Sequence, residues 1–254
     1  MSTGSDNVDI EMQMLWDWNH VITLNLTNSE QTPVVALIPT TGSADMIMVH
    51  QDCRKCWSLN AIKWAAETND LPVGGENIAL HNKTFDYFYM MHVYEVKASG
   101  HYWKINACLN STSKACADNL IFYAIHDADP WFYSLGDGYF GLAPSRGIGG
   151  STHMNFLEQI YDRGMIKKKQ FGVHTHMFNS TEDPSVIRFG DYNEDLFKKG
   201  HKQMWMNTTS NMTWEVKFDS AGFHSDIIWN NTHALIDPGY PFIGLPEIYF
   251  EQFK

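Results

Sequence analysis

Positive charge is scarce in this chain, and so is anything that would carry it into a bilayer. Lys and Arg total 18 against 29 Asp and Glu, for a net charge of -11. A surface of that sign repels phosphate backbones, which sets nucleic-acid binding aside. The one basic run, Lys167-Lys168-Lys169, reads as a solvated linker. No apolar stretch approaches the roughly 20 residues of a membrane-spanning helix, so no membrane span is expected. The start, Met1-Ser2-Thr3-Gly4-Ser5-Asp6, lacks the basic and apolar regions of a signal peptide. No lysine follows Gly147-Ile148-Gly149-Gly150 in the manner of a phosphate loop. No cofactor is expected.

Cysteine is sparse too, and its placement is informative. The four fall in two close pairs, Cys53/Cys56 and Cys108/Cys116, each bracketing a short polar loop. Cys-x-x-Cys is compatible with a redox or zinc half-site, but no second such pair lies at zinc-like spacing nearby. Local disulfides are the better reading, and they imply an oxidising compartment. His174-x-His176 on a strand puts two rings on one face, as a metal pair needs, yet no third ligand is evident and no metal site is assigned. Acceptor patterns for N-glycosylation occur at Asn25, Asn82, Asn110, Asn179, Asn207, Asn211 and Asn230. Cysteines and acceptor sites together place the chain in a secreted or lumenal setting, with a leader removed or the start incomplete.

What the chain has in abundance is packing material. Hydrophobic residues make up 44% and aromatics 14% of its 254 residues. That favours packed β-structure and a large core, in one β-rich unit or two modest lobes. Strand-like alternation runs from Met14 to Leu26, and Leu120 to Ile125 reads as a buried strand. Ser151 or Thr152 is placed to cap a helix reaching about Arg163, with Gly164 ending it. Trp205 and Trp214 read as core residues, with a sugar-binding face the weaker alternative.

One pattern occurs twice. Ala36-Leu37-Ile38-Pro39-Thr40-Thr41-Gly42-Ser43 is an apolar strand entering a tight turn, followed by Met46-Ile47-Met48-Val49. Late in the chain Ala234-Leu235-Ile236-Asp237-Pro238-Gly239-Tyr240-Pro241 repeats it, followed by Phe242-Ile243-Gly244-Leu245. Both stretches resemble the two active-site loops of the pepsin-like aspartic peptidases, which read Asp-Thr-Gly-Ser or Asp-Thr-Gly-Thr. Leu135-Gly136-Asp137-Gly138-Tyr139-Phe140-Gly141-Leu142-Ala143-Pro144-Ser145 is similar to that family's strand threading under the first loop, with Asp137 structural and the glycines allowing close backbone approach.

The resemblance implies an all-β fold with short helices: a bilobal pepsin-like architecture with a truncated second lobe. Its divisions are a flexible tail at 1–11, an N-terminal lobe at 12–168 and a partial C-terminal lobe at 169–254. Tyr94-Glu95-Val96-Lys97-Ala98-Ser99-Gly100 resembles the flap hairpin that closes over substrate, with Tyr94 as flap tyrosine; an ordinary hairpin with an aromatic strand residue is equally open. At the loops, the resemblance makes Asp237 the remaining acid and puts Thr40 where the other acid belongs. Thr41, Gly42 and Ser43 complete the first loop, and Pro238 and Gly239 the second. Family chemistry needs two carboxylates sharing one proton, because like charges about 3 Å apart cannot both ionise. The expectation is a catalytically inactive, secreted binding or structural glycoprotein, with a protein or peptide ligand in the old cleft. The alternative is an active aspartic endopeptidase whose dyad and second lobe are completed by a partner chain or oligomer at the open second-lobe edge.

Overall fold

The computed structural model describes residues 7–15, 19–26, 34–54, 56–58, 81–89, 92–109, 116–128, 133–134, 137–144, 155–176, 185–192, 194, 197, 200, 202–223, 226–240 and 243–245. The described chain is mostly strand with one short helix, the all-β fold expected.

Six strands close a barrel. β2 (Asn19–Leu26) pairs with β3 (Val34–Thr40). Beyond β3 the order continues through β10 (Gly138–Gly141), β4 (Ile47–Arg54), β8 (Cys116–Ala128) and β7 (His92–Leu109), and β7 pairs back onto β2. The period-2 alternation of strands explains the two packed faces of this wall. Met46, Met48, Phe122 and Ala124 enter the large core, where Leu24, Leu37 and Phe140 meet them. Their neighbours Ile47, Val49, Tyr123 and Ile125 form a second cluster on the opposite face.

β1 (Val8–Leu15) extends the sheet past β2, and β12 (Ser185–Phe189) and β11 (Phe171–His174) extend it further. Residues 8 to 11 are therefore strand and not tail. Val8, Ile10 and Met12 are buried, and β1 hydrogen-bonds to β12 over Val8 to Met12. The sheet also runs across the boundary drawn at 168/169, since β11 and β12 join it from beyond that point.

β10 is a short strand slotted between two others, parallel to β3 and antiparallel to β4. Glycine is required there by contact. A Cβ on Gly138 would lie 2.0 Å from the Ile47 carbonyl oxygen, and one on Gly141 would lie 2.3 Å from that of Asp45. Buried Asp137 ties the slot together: its Oδ2 accepts the Ala36 N–H at 2.9 Å, its own N–H donates to the Ala36 carbonyl at 2.7 Å, and its carbonyl accepts the Val49 N–H at 2.9 Å. A buried acid satisfied by backbone groups is structural.

Helix α1 (Phe156–Asp162) begins later than expected. Its cap is Asn155, whose Oδ1 accepts the Glu158 N–H at 2.9 Å while its Nδ2 donates to the Ala143 carbonyl at 2.7 Å. The second bond, which ties the cap to the chain just past β10, is what favours this site; Ser151 and Thr152 lie outside the described residues. Gly164, at φ +70°, ends the helix as expected.

The stretch 94–100, which resembled a flap hairpin, lies within one strand. β6 (His81–Tyr89) and β7 form one hairpin whose register pairs Tyr89 with His92. Glu95, Val96 and Lys97 pair in mid-strand with Asp86, Phe85 and Thr84, and Tyr94 pairs with Tyr87. Continuous ladder bonding outweighed the polar look of 95–97.

β5 (Trp57–Ser58) and β9 (Tyr133–Ser134) make a small parallel pair. β13 (Glu215–Phe223) and β14 (Asp226–Leu235) form a separate hairpin that leads into Asp237. Trp214, just before β13, packs edge-on to Phe171 and donates its indole N–H to the Leu142 carbonyl at 2.7 Å. Trp205 is neither strand nor core: it is 76% exposed, with an edge contact to Tyr192. Both predicted disulfides are present, Cys53–Cys56 and Cys108–Cys116.

Candidate active site

The two repeated stretches meet. β3 ends at Thr40 and its loop is supported from below by the residues after β10, the Leu142 N–H donating to the Thr40 carbonyl at 2.8 Å and the Ala143 N–H to that of Ser43 at 3.1 Å. The second loop follows β14, where the Tyr240 N–H turns back to the Asp237 carbonyl at 3.2 Å. Three hydrogen bonds and one close approach join the two loops.

Thr40 donates its hydroxyl to Asp237 Oδ2 at 2.9 Å. The Thr41 N–H donates to Asp237 Oδ1 at 2.9 Å, and so does the Gly239 N–H at 2.9 Å. Thr41 is buried, and its hydroxyl crosses to the Ile236 carbonyl at 2.5 Å. Thr40 Oγ1 also accepts the Gly42 N–H at 3.0 Å. Asp237 is thus held by both loops at once, with each carboxylate oxygen engaged. The reciprocal crossing bond is missing because Pro238 has no N–H and no hydroxyl to return. Ser43 serves its own turn, its Oγ accepting the Asp45 N–H at 3.2 Å.

The close approach is at Gly239. A Cβ there would stand 2.5 Å from the Pro39 carbonyl oxygen and 3.0 Å from Thr40 Cβ. The first of these is backbone, so Gly239→Ala should push the loops apart and break the Thr40–Asp237 bond, at a cost of roughly 1–3 kcal/mol. Urea unfolding that shows no change in midpoint would count against this contact.

Tyr139, on β10, senses the same carboxylate. Loss of hydration first, and the negative charge of Asp237 second, push its phenol up to about 12. It stays neutral beneath the loops. Nothing in the sequence marked Tyr139 beyond its place in the threading stretch, since an electrostatic neighbour brought by the fold has no local signature. Ile47 is fully buried in the second cluster.

A family model described as eukaryotic aspartyl protease matches residues 114–254, more than half of the chain. The chain belongs to this family. No curated protein matches this aspartyl protease chain. The matched span contains Asp237 and the threading strand, while Thr40 lies upstream of it.

The remaining predicted positions scatter over the chain. Asn207 and Asn211 are exposed, whereas Asn25 is half-buried on β2 with neighbours bonded on both sides. Asn82 falls on β6 and Asn230 on β14. Asn110 and Asn179 lie outside the described residues. Among the described residues no group of three or more His, Cys, Asp or Glu gathers as a metal centre, and no helix is long and apolar enough to cross a membrane.

Proposed function

We propose that this chain is an aspartyl protease homologue that has exchanged cleavage for binding: it accepts an extended polypeptide across the two loops and does not cut it. The observation that carries the reading is the bond from Thr40 Oγ1 to Asp237 Oδ2. By the family resemblance Thr40 occupies the place of the first acid, so the dyad is reduced to one carboxyl and one hydroxyl. A hydroxyl can orient a water, but it cannot take up the proton that a second carboxylate would share. The half-made loop crossing supports the same reading, because Thr41 bonds across and Pro238 has nothing to bond back with. In this reading the hairpin of β6 and β7, which carries Tyr94, is the covering element.

The working compartment in this reading is secretory. Two disulfides and the exposed acceptors Asn207 and Asn211 support it. The test is binding by protein made in a secretory host, where intact mass also reports glycans. A labelled peptide pool from an unfolded protein should bind saturably and be displaced by a pepstatin-type inhibitor, with no product formed. Binding that the inhibitor does not displace would move the site elsewhere, and no saturable binding would end the proposal.

A further inference from the structure

His174 and His176 are not absorbed by the loops. They lie at the end of the edge strand β11, and alternate residues of an extended chain share a face. The structure brings their rings together nearly edge to face, at an interplanar angle of 81°. Their Nε2 atoms stand 2.8 Å apart, a hydrogen-bond distance whose donor and acceptor depend on the tautomer. Both side chains are half-buried, fixed but open to solvent. The backbone beneath them is held, because the His176 N–H donates to Ser185 Oγ on β12 at 2.9 Å. That same oxygen lies 3.0 Å from His20 Nε2, which adds a third imidazole to the neighbourhood.

We propose that His174 and His176 form a bidentate site for a divalent transition ion of the zinc and copper class, bound through both Nε2 atoms with water completing the shell. Nitrogen ligands sit about 2.0–2.1 Å from zinc, so two of them at a tetrahedral angle are about 3.3 Å apart. The observed 2.8 Å separation needs to open by only about half an ångström, and the proton between the rings leaves as the ion enters. Imidazole suits Zn²⁺, Ni²⁺ and Cu²⁺, whereas Mg²⁺ and Ca²⁺ want oxygen donors that this pair does not offer. Since no group of three or more ligating side chains is found among the described residues, the ion keeps open positions and exchanges freely. Two ligands are fewer than the sequence reading asked of a metal centre. The 2.8 Å approach of the two Nε2 atoms is the fact that a spacing could not supply.

The experiment is calorimetric titration of the whole chain with ZnCl₂, NiCl₂ or CuCl₂ in a non-coordinating buffer. One ion per chain is expected, Cu²⁺ tighter than Ni²⁺, with no isotherm for MgCl₂ or CaCl₂. His174→Gln and His176→Gln should each remove it, and His233→Gln, on β14, should leave it intact. Substoichiometric Cu²⁺ should broaden the ring signals of His174 and His176 before that of His233 in the unmodified chain, a readout that does not depend on any variant folding. Absence of a saturable site in the unmodified chain, survival of the isotherm in the double variant, or broadening that begins at His233 would each overturn the proposal.

Discussion

Incubated at about pH 3 to 5, where family dyads are half protonated, the unmodified chain should leave a denatured protein substrate whole. The reason is the proton inventory at the loops. Peptide hydrolysis in this family needs one carboxyl to remove a proton from water and another to hold and deliver one. Here the partner of Asp237 Oδ2 is the Thr40 hydroxyl, 2.9 Å away, which has neither role available. General acid–base assistance is worth about 10²–10⁴-fold by itself. Asp237 Oδ1 is also occupied, by the N–H groups of Thr41 and Gly239. Those bonds orient the carboxylate but add no second acid. Mass spectrometry of the substrate reads the result, and pepstatin-sensitive cleavage by the unmodified chain would end the binding reading.

Restoring chemistry should require two changes. Thr40→Asp returns the second carboxyl, set in a loop whose backbone the Leu142 N–H already supports from below. It leaves Pro238 in place, so only Thr41 bonds across, to the Ile236 carbonyl. Misplacing a catalytic group by about 1 Å costs on the order of 10²-fold. Thr40→Asp with Pro238→Thr should therefore exceed Thr40→Asp alone by roughly that factor, while Pro238→Thr alone should stay inactive. The same acid cleavage assay, read as kcat/KM, checks both. Equal rates for the single and double variants would show that the missing crossing bond is unimportant.

The family, the β-rich class and the threading strand were legible because each is written locally. Asp137-Gly138-Tyr139-Phe140-Gly141 needs glycine wherever a neighbouring carbonyl comes within van der Waals contact, so a steric demand of the fold leaves a mark in the string. The disulfides were legible for a like reason: each pair closes a loop too short to depend on anything distant. Boundaries were less so. Residues 8 to 11 looked like tail because a strand is defined by its partner, and theirs is Ser185 to Phe189. Glu95 to Lys97 carried polarity without a turn, because they pair in mid-strand with Asp86 to Thr84.

By itself the sequence determined which residues stand in the two repeated stretches. Thr40 and Pro238 are facts of composition that no folding can reverse. Only the tertiary structure decided what those residues touch. It set the Thr40 hydroxyl on Asp237, placed Tyr139 within reach of the same charge, and turned His174 and His176 toward each other. The physical reason is range. Chemical identity and local sterics are properties of a few consecutive residues, whereas hydrogen bonds and electrostatic contacts between residues far apart in the chain exist only once the barrel has closed.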